Sequence, residues 1–449
     1  MDLQSSKAQS ALLIAQKLHA AGFLAYFAGG CVRDTLLGAR PQDFDIATSC
    51  PPEKVESLFT KTIAVGKQFG VILVVESGDS VEVTTFRKEG GYHDGRHPTD
   101  ISFTDAREDA TRRDFTVNGL FYDPFEKKIL DFVEGREDIR RRVIRAIGDP
   151  AQRFEEDKLR LLRAVRFAAN LGFEIEKKTW ESIKKMAPAI HSVSPERIRD
   201  ELVKIFTRAG AVRGFDLLSD SGLMKEILPE IEAMRGVEQQ PEWHPEGDVF
   251  IHTRLLLEKM SEPDRVLVFS ALLHDVAKPV TFQRREDGKI TFYEHAHIGA
   301  EMARAILKRL RFSNQEIDDV AVCVENHMKF GDVKKMRSGK LKQFMVHPQF
   351  EAGLRLHRID CLSSHGLLDN YHFLLEKKEA LKEEELKPKA WLSGNDLIAL
   401  GMVPGPAMKP LLEEAYLLQL ENRFESKEQA LHWVKDRLAH PSSGDPEPA

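Results

Sequence analysis

Apolar residues are spaced in two distinct ways along this chain. Up to about residue 147, short apolar runs alternate with turns, the pattern of half-buried strands. Residues 24–28 predict a strand, followed by Gly29-Gly30 and a short helix from Cys31. A second strand is predicted over 43–48, and 71–75 and 81–86 flank Ser77-Gly78-Asp79-Ser80 as a hairpin. The expected sheet has about five strands. From about 148 to 240 the apolar spacing lengthens to three and four residues, clearest over 153–171 and 195–208, with no strand candidate between. The stretch 236–248, with Pro241 and Pro245, predicts a loop. A helical region rich in histidine follows, then a charged helix over 376–387, a loop at Pro388, a last helical unit and a frayed tail from 440. The fold class expected is α+β. A head with a mixed β-sheet (1–147) precedes an all-α neck (148–240), a third helical region (249–370) and a C-terminal helical module (371–449). No internal repeat is present.

Composition adds limits. With 449 residues, 42% of them hydrophobic and 30% charged, the chain reads as a soluble protein of several domains. No apolar stretch approaches the roughly 18 residues that a membrane span needs. The first residues lack a basic segment before their apolar part and read as a helix rather than a signal peptide. Cys31, Cys50, Cys323 and Cys361 form no CxxC pair, so unpaired thiols in a reducing cytoplasm are expected. Net charge is −6, so any nucleic-acid contact must come from a local basic surface. One such segment runs from Arg136 to Arg166 and includes Arg140, Arg141 and Arg142.

The strongest chemical signal lies between residues 29 and 45. Alternation on a strand over 43–48 puts Asp43 and Asp45 on one face. Paired carboxylates suit a hard divalent ion such as Mg²⁺ and the in-line displacement of phosphoryl transfer. The Gly29-Gly30 turn lets backbone N–H groups approach phosphate, and Arg33 adds a charge-assisted donor. Glu82 is a candidate third carboxylate. In Arg112-Arg113-Asp114 an acid suited to a ribose hydroxyl stands beside cations suited to phosphate. Asp157 and Arg160, three apart on the helix predicted over 153–171, are expected to share a face. Such a pair can read the edge of cytosine or adenine, or form an ordinary surface ion pair. A P-loop is excluded, because Gly66-Lys67 has neither the preceding glycine nor the following Ser or Thr.

The order of these motifs, ending in the run from Gly148 to Phe167, resembles the class II tRNA nucleotidyltransferase and bacterial poly(A) polymerase family over residues 20–210. That resemblance implies a polymerase-β-type nucleotidyltransferase head and a helical neck. It assigns Asp43 and Asp45 to catalytic metal, and Gly29, Gly30, Arg33 and Asp34 to the incoming nucleotide. It places Asp114 and Asn118 at the ribose, Glu156, Asp157 and Arg160 at the base, and Arg163 among the nucleotide-binding residues. The segment 87–98 stands where the family has a flexible loop governing the switch to adenine, and 194–202 resembles the motif that closes the neck. The implied substrates are the tRNA 3′ end, CTP and ATP. Poly(A) polymerase, and a hydrolase with a non-catalytic nucleotide-binding head, are the alternatives.

The third region carries a second constellation. His252, His274-Asp275, His295, His327 and Asp360 follow the order found in HD-superfamily phosphohydrolases. The resemblance implies that His252, His274, Asp275 and Asp360 hold one metal, and that His295 and His327 complete a two-metal site. Histidine ligands point to a transition metal such as Ni²⁺, Mn²⁺ or Co²⁺. Metal-activated attack on a cyclic or terminal RNA phosphate is the expected chemistry. The segment 391–408 resembles the C-terminal module of the same family, suited either to packing or to holding RNA.

Overall fold

The alternating runs of the N-terminal part pair into one mixed sheet. In this computed structural model, which describes residues 1–92, 98–380 and 388–439, the sheet has seven strands. They are β1 (Ala25–Ala28), β2 (Asp45–Thr48), β3 (Thr62–Gly66), β4 (Val71–Glu76) and β5 (Asp79–Thr85), with β8 (Leu120–Asp123) and β9 (Lys128–Asp131). Their order is β3-β4-β5-β2-β1-β8-β9. Only β2 and β5 run parallel; the other neighbours are antiparallel. The sheet thus exceeds the five strands expected. The two strands at that end, β8 and the edge strand β9, are four residues each, too short to show a period and specified by their neighbours.

Two local expectations also shift. The hairpin turn is Ser77-Gly78 alone, both at positive φ (51° and 90°), while Asp79 and Ser80 already pair with Glu76 and Val75. The mirror-image turn follows strand twist, so it closes in two residues. The segment expected as a loop over 87–98 instead begins and ends in a separate antiparallel pair, β6 (Arg87–Tyr92) and β7 (Pro98–Phe103). Residues 93–97, the end of the predicted 376–387 helix and the predicted tail lie outside the described residues.

The chain divides into two compact units, residues 1–233 with 309–312, and 234–308 with 313–449. In the first, the expected helix over 153–171 is broken. One helix spans Pro150–Glu156 and the next Leu159–Leu171, and Asp157 between them is extended (φ −149°, ψ 104°). Glu155, Glu156 and Asp157 crowd negative charge at a helix C-terminus, where the dipole opposes it. Asp157 is better placed as a start, and its Oδ1 accepts from the Leu159 N–H at 3.0 Å. The neck also contains one strand, Glu174–Ile175, parallel to Val143–Ile144. Helix Leu159–Leu171 packs on Pro195–Phe206 and Ala211–Asp220, burying Leu161, Leu162, Val165 and Ala168. Arg166 and Glu201 cross that interface as a buried pair at 2.5 Å.

A second buried pair ties this helix to the head. Arg163 donates through Nε and Nη2 to Asp114 Oδ2 at 2.8 and 2.5 Å. The Phe115 N–H and Asn118 Nδ2 donate to Oδ1 at 2.8 and 3.2 Å. Burial raises the Asp114 pKa, but Arg163 outweighs it and holds the carboxyl at about 2.

In the second unit, helices Val249–Lys259, Arg265–Leu273, Asn314–Asn326 and Phe350–Ser363 share a core of Leu256, Leu267, Ala271, Cys323, Leu356 and Ile359. A hairpin of Phe282–Arg284 and Ile290–Phe292 interrupts the helical pattern. The last helices enclose their own cluster of Leu397, Ala415, Phe424 and Val434.

The Asp114 pair has a pH signature. A depressed carboxyl stabilises the fold above its unfolded pKa of 3.8, and that contribution is lost as pH falls toward about 2. It amounts to about 2 kcal/mol. Urea unfolding of Asp114→Asn is expected to show a deficit at neutral pH that shrinks as pH falls through that window. A deficit independent of pH would remove the carboxylate from this role.

Candidate functional site

Sheet order brings the head residues together. β1 ends where β2 begins, with Ala28 opposite Asp45, and Ile46 lies beside Val83. The register therefore sets Glu82 next to Asp45 at the sheet end that carries Gly29-Gly30. Asp43 lies two residues before β2, not within it, yet alternation persists: Asp43 and Asp45 are exposed and Phe44 between them is buried. Although the residue keeps an exposed edge, loss of water around its carboxyl, with Glu82 and Asp43 adding to it against Arg113, pushes the Asp45 pKa up to about 6. Three carboxylates gathered at one end of the sheet fit a divalent cation.

Gly29 is held by its N–H to Leu120 O at 3.0 Å and has φ 69° and ψ −120°, a conformation closed to most side chains. A Cβ there would also meet Arg113 Nη1 at 3.3 Å. Helix Gly30–Leu36 begins immediately after it. Arg33 donates to Asp34 Oδ1 (2.8 Å) and to Asn118 Oδ1 (2.7 Å), and its guanidinium lies 5.3 Å from the Phe167 ring. Arg112 and Arg113 both pair with buried Asp109, at 2.6 and 3.0 Å. They follow the helix Ala106–Thr111 rather than starting one.

The base-reading candidates are arranged differently from the expectation. Because the helix breaks at Asp157, Asp157 and Arg160 are not neighbours on one helical face. Asp157 takes Arg197 in two bonds of 3.2 and 2.7 Å. Arg160 donates to Glu156 Oε2 at 2.5 Å and to the carbonyls of Arg153 and Arg112 at 2.9 and 3.2 Å. Arg153 also reaches Glu156 Oε2, at 2.9 Å. Arg140 and Arg141 are exposed but share Glu137, at 2.8 and 2.6 Å; Arg142 is exposed at the end of the same helix.

In the second unit the histidine constellation assembles. His252, His274 and Asp275 bring ligand atoms within 4.8 Å of one another, and so do Asp275, His295 and His327. Asp360 Oδ1 lies 3.0 Å from His252 Nε2. The local geometry decides which nitrogen faces inward. Nδ1 of His274, His295 and His327 lies 2.9, 2.8 and 2.6 Å from the carbonyls of Ala271, Phe292 and Val324. A carbonyl only accepts, so each Nδ1 carries the proton and each Nε2 offers a lone pair. Those Nε2 atoms lie 3.2, 3.6 and 3.8 Å from Asp275.

Two observations test whether a metal fits. The Nε2 atoms of His295 and His327 face each other at 3.2 Å, where two lone pairs repel unless a cation lies between. His274 Nε2 is buried without a hydrogen bond. Burial, reinforced by His274, drives the His327 pKa down to about 3, which keeps its ring neutral and ligating. Burial disfavours charge on His252 too, but Asp360 and Glu246 outweigh it and raise its pKa to about 9. The donor set fits metal binding, with Asp275 common to both groups of ligand atoms.

Several residues here escaped the sequence reading. Lys7, on helix Ser6–Ala20, forms an ion pair with Asp43. Lys278 is buried with Nζ 2.7 Å from Asp275 Oδ2; its place three residues after Asp275 was the available signal. His244 and Glu246 stand against His252, and only the His-Pro-Glu run upstream hints at them.

Known proteins place this arrangement. Residues 25–145 match the poly A polymerase head domain, and 248–365 match the HD domain. Residues 172–235 match a model described as "Probable RNA and SrmB- binding site of polymerase A". The chain is 44% identical over 226 residues to the CCA-adding enzyme of Bacillus pumilus, an alignment spanning 50% of this chain and only 56% of that enzyme. It is 32% identical over 432 residues to the CCA-adding enzyme of Streptococcus suis, covering 95% of this chain and 96% of the relative. The crystal structure of the Bacillus stearothermophilus CCA-adding enzyme in complex with CTP superimposes with a TM-score of 0.74 at 27% identity, covering 98% and 99% of the two chains. With a polymerase-β-type head, the ordered motifs and a relative aligned from end to end, this chain belongs to the CCA-adding enzyme family of nucleotidyltransferases.

Proposed function

We propose that this protein adds CCA, or part of it, to the tRNA 3′ end from CTP and ATP without a nucleic-acid template. The observation that carries the reading is the strand register that sets Asp45 beside Glu82 at the sheet end bearing the Gly29-Gly30 turn, with Asp43 two residues before β2. Asp43 and Asp45 would hold Mg²⁺, which supplies charge neutralisation at the transferring phosphoryl group. The backbone of Gly29 and Gly30 cradles phosphate, and Arg33 orients it. Asp34, Asp114 and Asn118 shape the nucleotide site, with Arg163 holding Asp114. Glu156, Asp157 and Arg160 read the base from the break between two helices, where their carboxylates and guanidinium can exchange internal partners for a base edge. The proposed division is a head (1–147), neck (148–240), HD region (249–370) and C-terminal module (371–449). Among the described residues no helix is long and apolar enough to cross a membrane. Four buried free cysteines support a cytoplasmic setting.

A second activity is favoured by the inward-facing imidazoles. His252, His274, Asp275, His295, His327 and Asp360 would hold two divalent transition metals, which supply Lewis acidity toward a phosphoester. The proposed substrate is a 2′,3′-cyclic or terminal phosphate on RNA, removed before the 3′ end is extended.

Transcripts of tRNA lacking CCA, lacking only the final adenosine, or complete would be offered each labelled nucleotide singly and mixed, with Mg²⁺. Completion of CCA from the shortest transcript is expected, and Asp43→Ala/Asp45→Ala should reduce incorporation to background. Long adenosine tails would move the assignment to poly(A) polymerase. Incorporation no higher than in the double variant would defeat the transferase reading.

The hydrolytic site is tested separately. Protein reloaded with Mn²⁺, Co²⁺ or Ni²⁺ is expected to release phosphate from RNA ending in a 3′-phosphate, and His274→Ala/Asp275→Ala to abolish this while nucleotide addition continues. Equal release by both proteins would trace it to a contaminant.

RNA grip should be electrostatic. Replacing Arg140, Arg141 and Arg142 by Ala is expected to lower the slope of log affinity against log salt by about 1 to 3. The lower end reflects the share of charge that Glu137 already neutralises. An unchanged slope would remove this helix from the RNA path.

A further inference from the structure

The four inward-facing imidazoles are not supported alike. His274, His295 and His327 each lean on the carbonyl of the residue three positions upstream. His252 has a different support, because its Nδ1 lies 2.7 Å from a carboxylate, Oε1 of Glu246. The same oxygen lies 2.9 Å from His244 Nδ1, and the His244 ring stands edge-on to the His252 ring at 4.9 Å. Both Glu246 and His252 are buried, with side-chain exposures of 6% and 0%. Glu246 arrives on the loop that precedes helix Val249–Lys259, and Asp248 fixes that helix start by accepting from the Ile251 N–H. The loop and its helix therefore deliver the carboxylate and the imidazole together.

Resting on the reading of this cluster as a metal centre, we infer that Glu246, steadied by His244, is a positioning residue that makes His252 a stronger donor than the other three histidines, so that the metal position formed by His252, His274, Asp275 and Asp360 is the tighter of the two. The Glu246 carboxylate stands 2.7 Å from Nδ1, close enough to act on the ring through its charge. It leaves more electron density on Nε2, because a full negative charge faces the ring. The second position, built from Asp275, His295 and His327, has only carbonyl support. The asymmetry predicts sequential loading, with the His252 position filling first.

The test uses the full-length protein, stripped with EDTA and titrated with Mn²⁺ by calorimetry, with the free-ion resonance followed by electron paramagnetic resonance. With Asp43→Ala/Asp45→Ala silencing the head carboxylates throughout, protein with Glu246 intact is expected to bind two equivalents of unequal affinity. Glu246→Ala should weaken the tighter one by about 10- to 100-fold, the usual cost of losing an outer-shell partner, and leave the weaker one in place. Glu246→Gln keeps an accepting oxygen without the charge and should fall between the two. Being isosteric, it keeps the test open should the alanine variant fail to fold by circular dichroism. Unchanged affinities in both variants would overturn the role of Glu246. Three equivalents with Glu246 intact and two in Glu246→Gln would also overturn it, by making His244 and Glu246 ligands themselves. Binding with Glu246 intact no stronger than that of His274→Ala would instead strike the underlying metal-centre reading, which separates the two failures.

Discussion

Asp114 is buried beside Phe115 and Asn118, and a carboxylate in that position remains charged only if its oxygens are met. Arg163 supplies the countercharge from the neck helix, while Asn118 and the Phe115 N–H fill the other oxygen. The consequences spread outward from this one closure. Asn118 also receives Arg33, the first cation after the Gly29-Gly30 turn, and Arg33, Arg163 and Arg166 all lie over the Phe167 ring. The Gly29-Gly30 turn in the head and a helix bearing base-reading candidates are thereby held in one frame. Removing either charge would leave the other stranded, which costs more than the pair itself contributes.

The HD region obeys a different constraint, the tautomer rule of imidazole. A buried histidine that gives its Nδ1 proton to a fixed acceptor must present Nε2 elsewhere. Here two helix carbonyls and the strand-end carbonyl of Phe292 make that choice for three rings, and the Glu246 carboxylate faces the fourth. The lone pairs converge on Asp275, whose negative charge is partly answered by Lys278. Such convergence has no stabilising role in a metal-free core, where buried polar atoms are ordinarily satisfied.

Much of this was legible from residue order, because the chemistry depends on types at fixed spacing. Asp43 and Asp45 flank buried Phe44 as alternation requires, although Asp43 precedes the strand, the six histidine-region residues come together, and the head is an α+β sheet domain. What escaped detection depends on context outside the window. The helix over 153–171 had an uninterrupted apolar stripe, yet three consecutive acids end it at Asp157, and the partner that holds Asp157 there, Arg197, is forty residues away. The hairpin turn was too long by two residues because strand twist, not composition, sets its length. Strands as short as β8 and β9 carry no readable period. Glu246 was hard to single out for a similar reason: one of several acids in a Pro-flanked loop, it gains meaning only when its partner His252 is in place.

The two candidate metal sites differ in a way that suits their proposed chemistries. The head site offers exposed carboxylate oxygens, with the Asp43 side chain 75% accessible. Hard cations bound by one or two carboxylates keep much of their water and rely on substrate phosphate to complete their shell. Such an ion can arrive and leave with the nucleotide triphosphate. The HD site offers buried imidazole nitrogens around one central carboxylate, a set that prefers transition metals and binds them independently of substrate. A metal there would be resident, and its removal would leave facing lone pairs and unpaired polar atoms behind. One chain can therefore carry a site that exchanges its ion each turnover and another that retains it. Ligand hardness and burial keep the two from competing for the same metal.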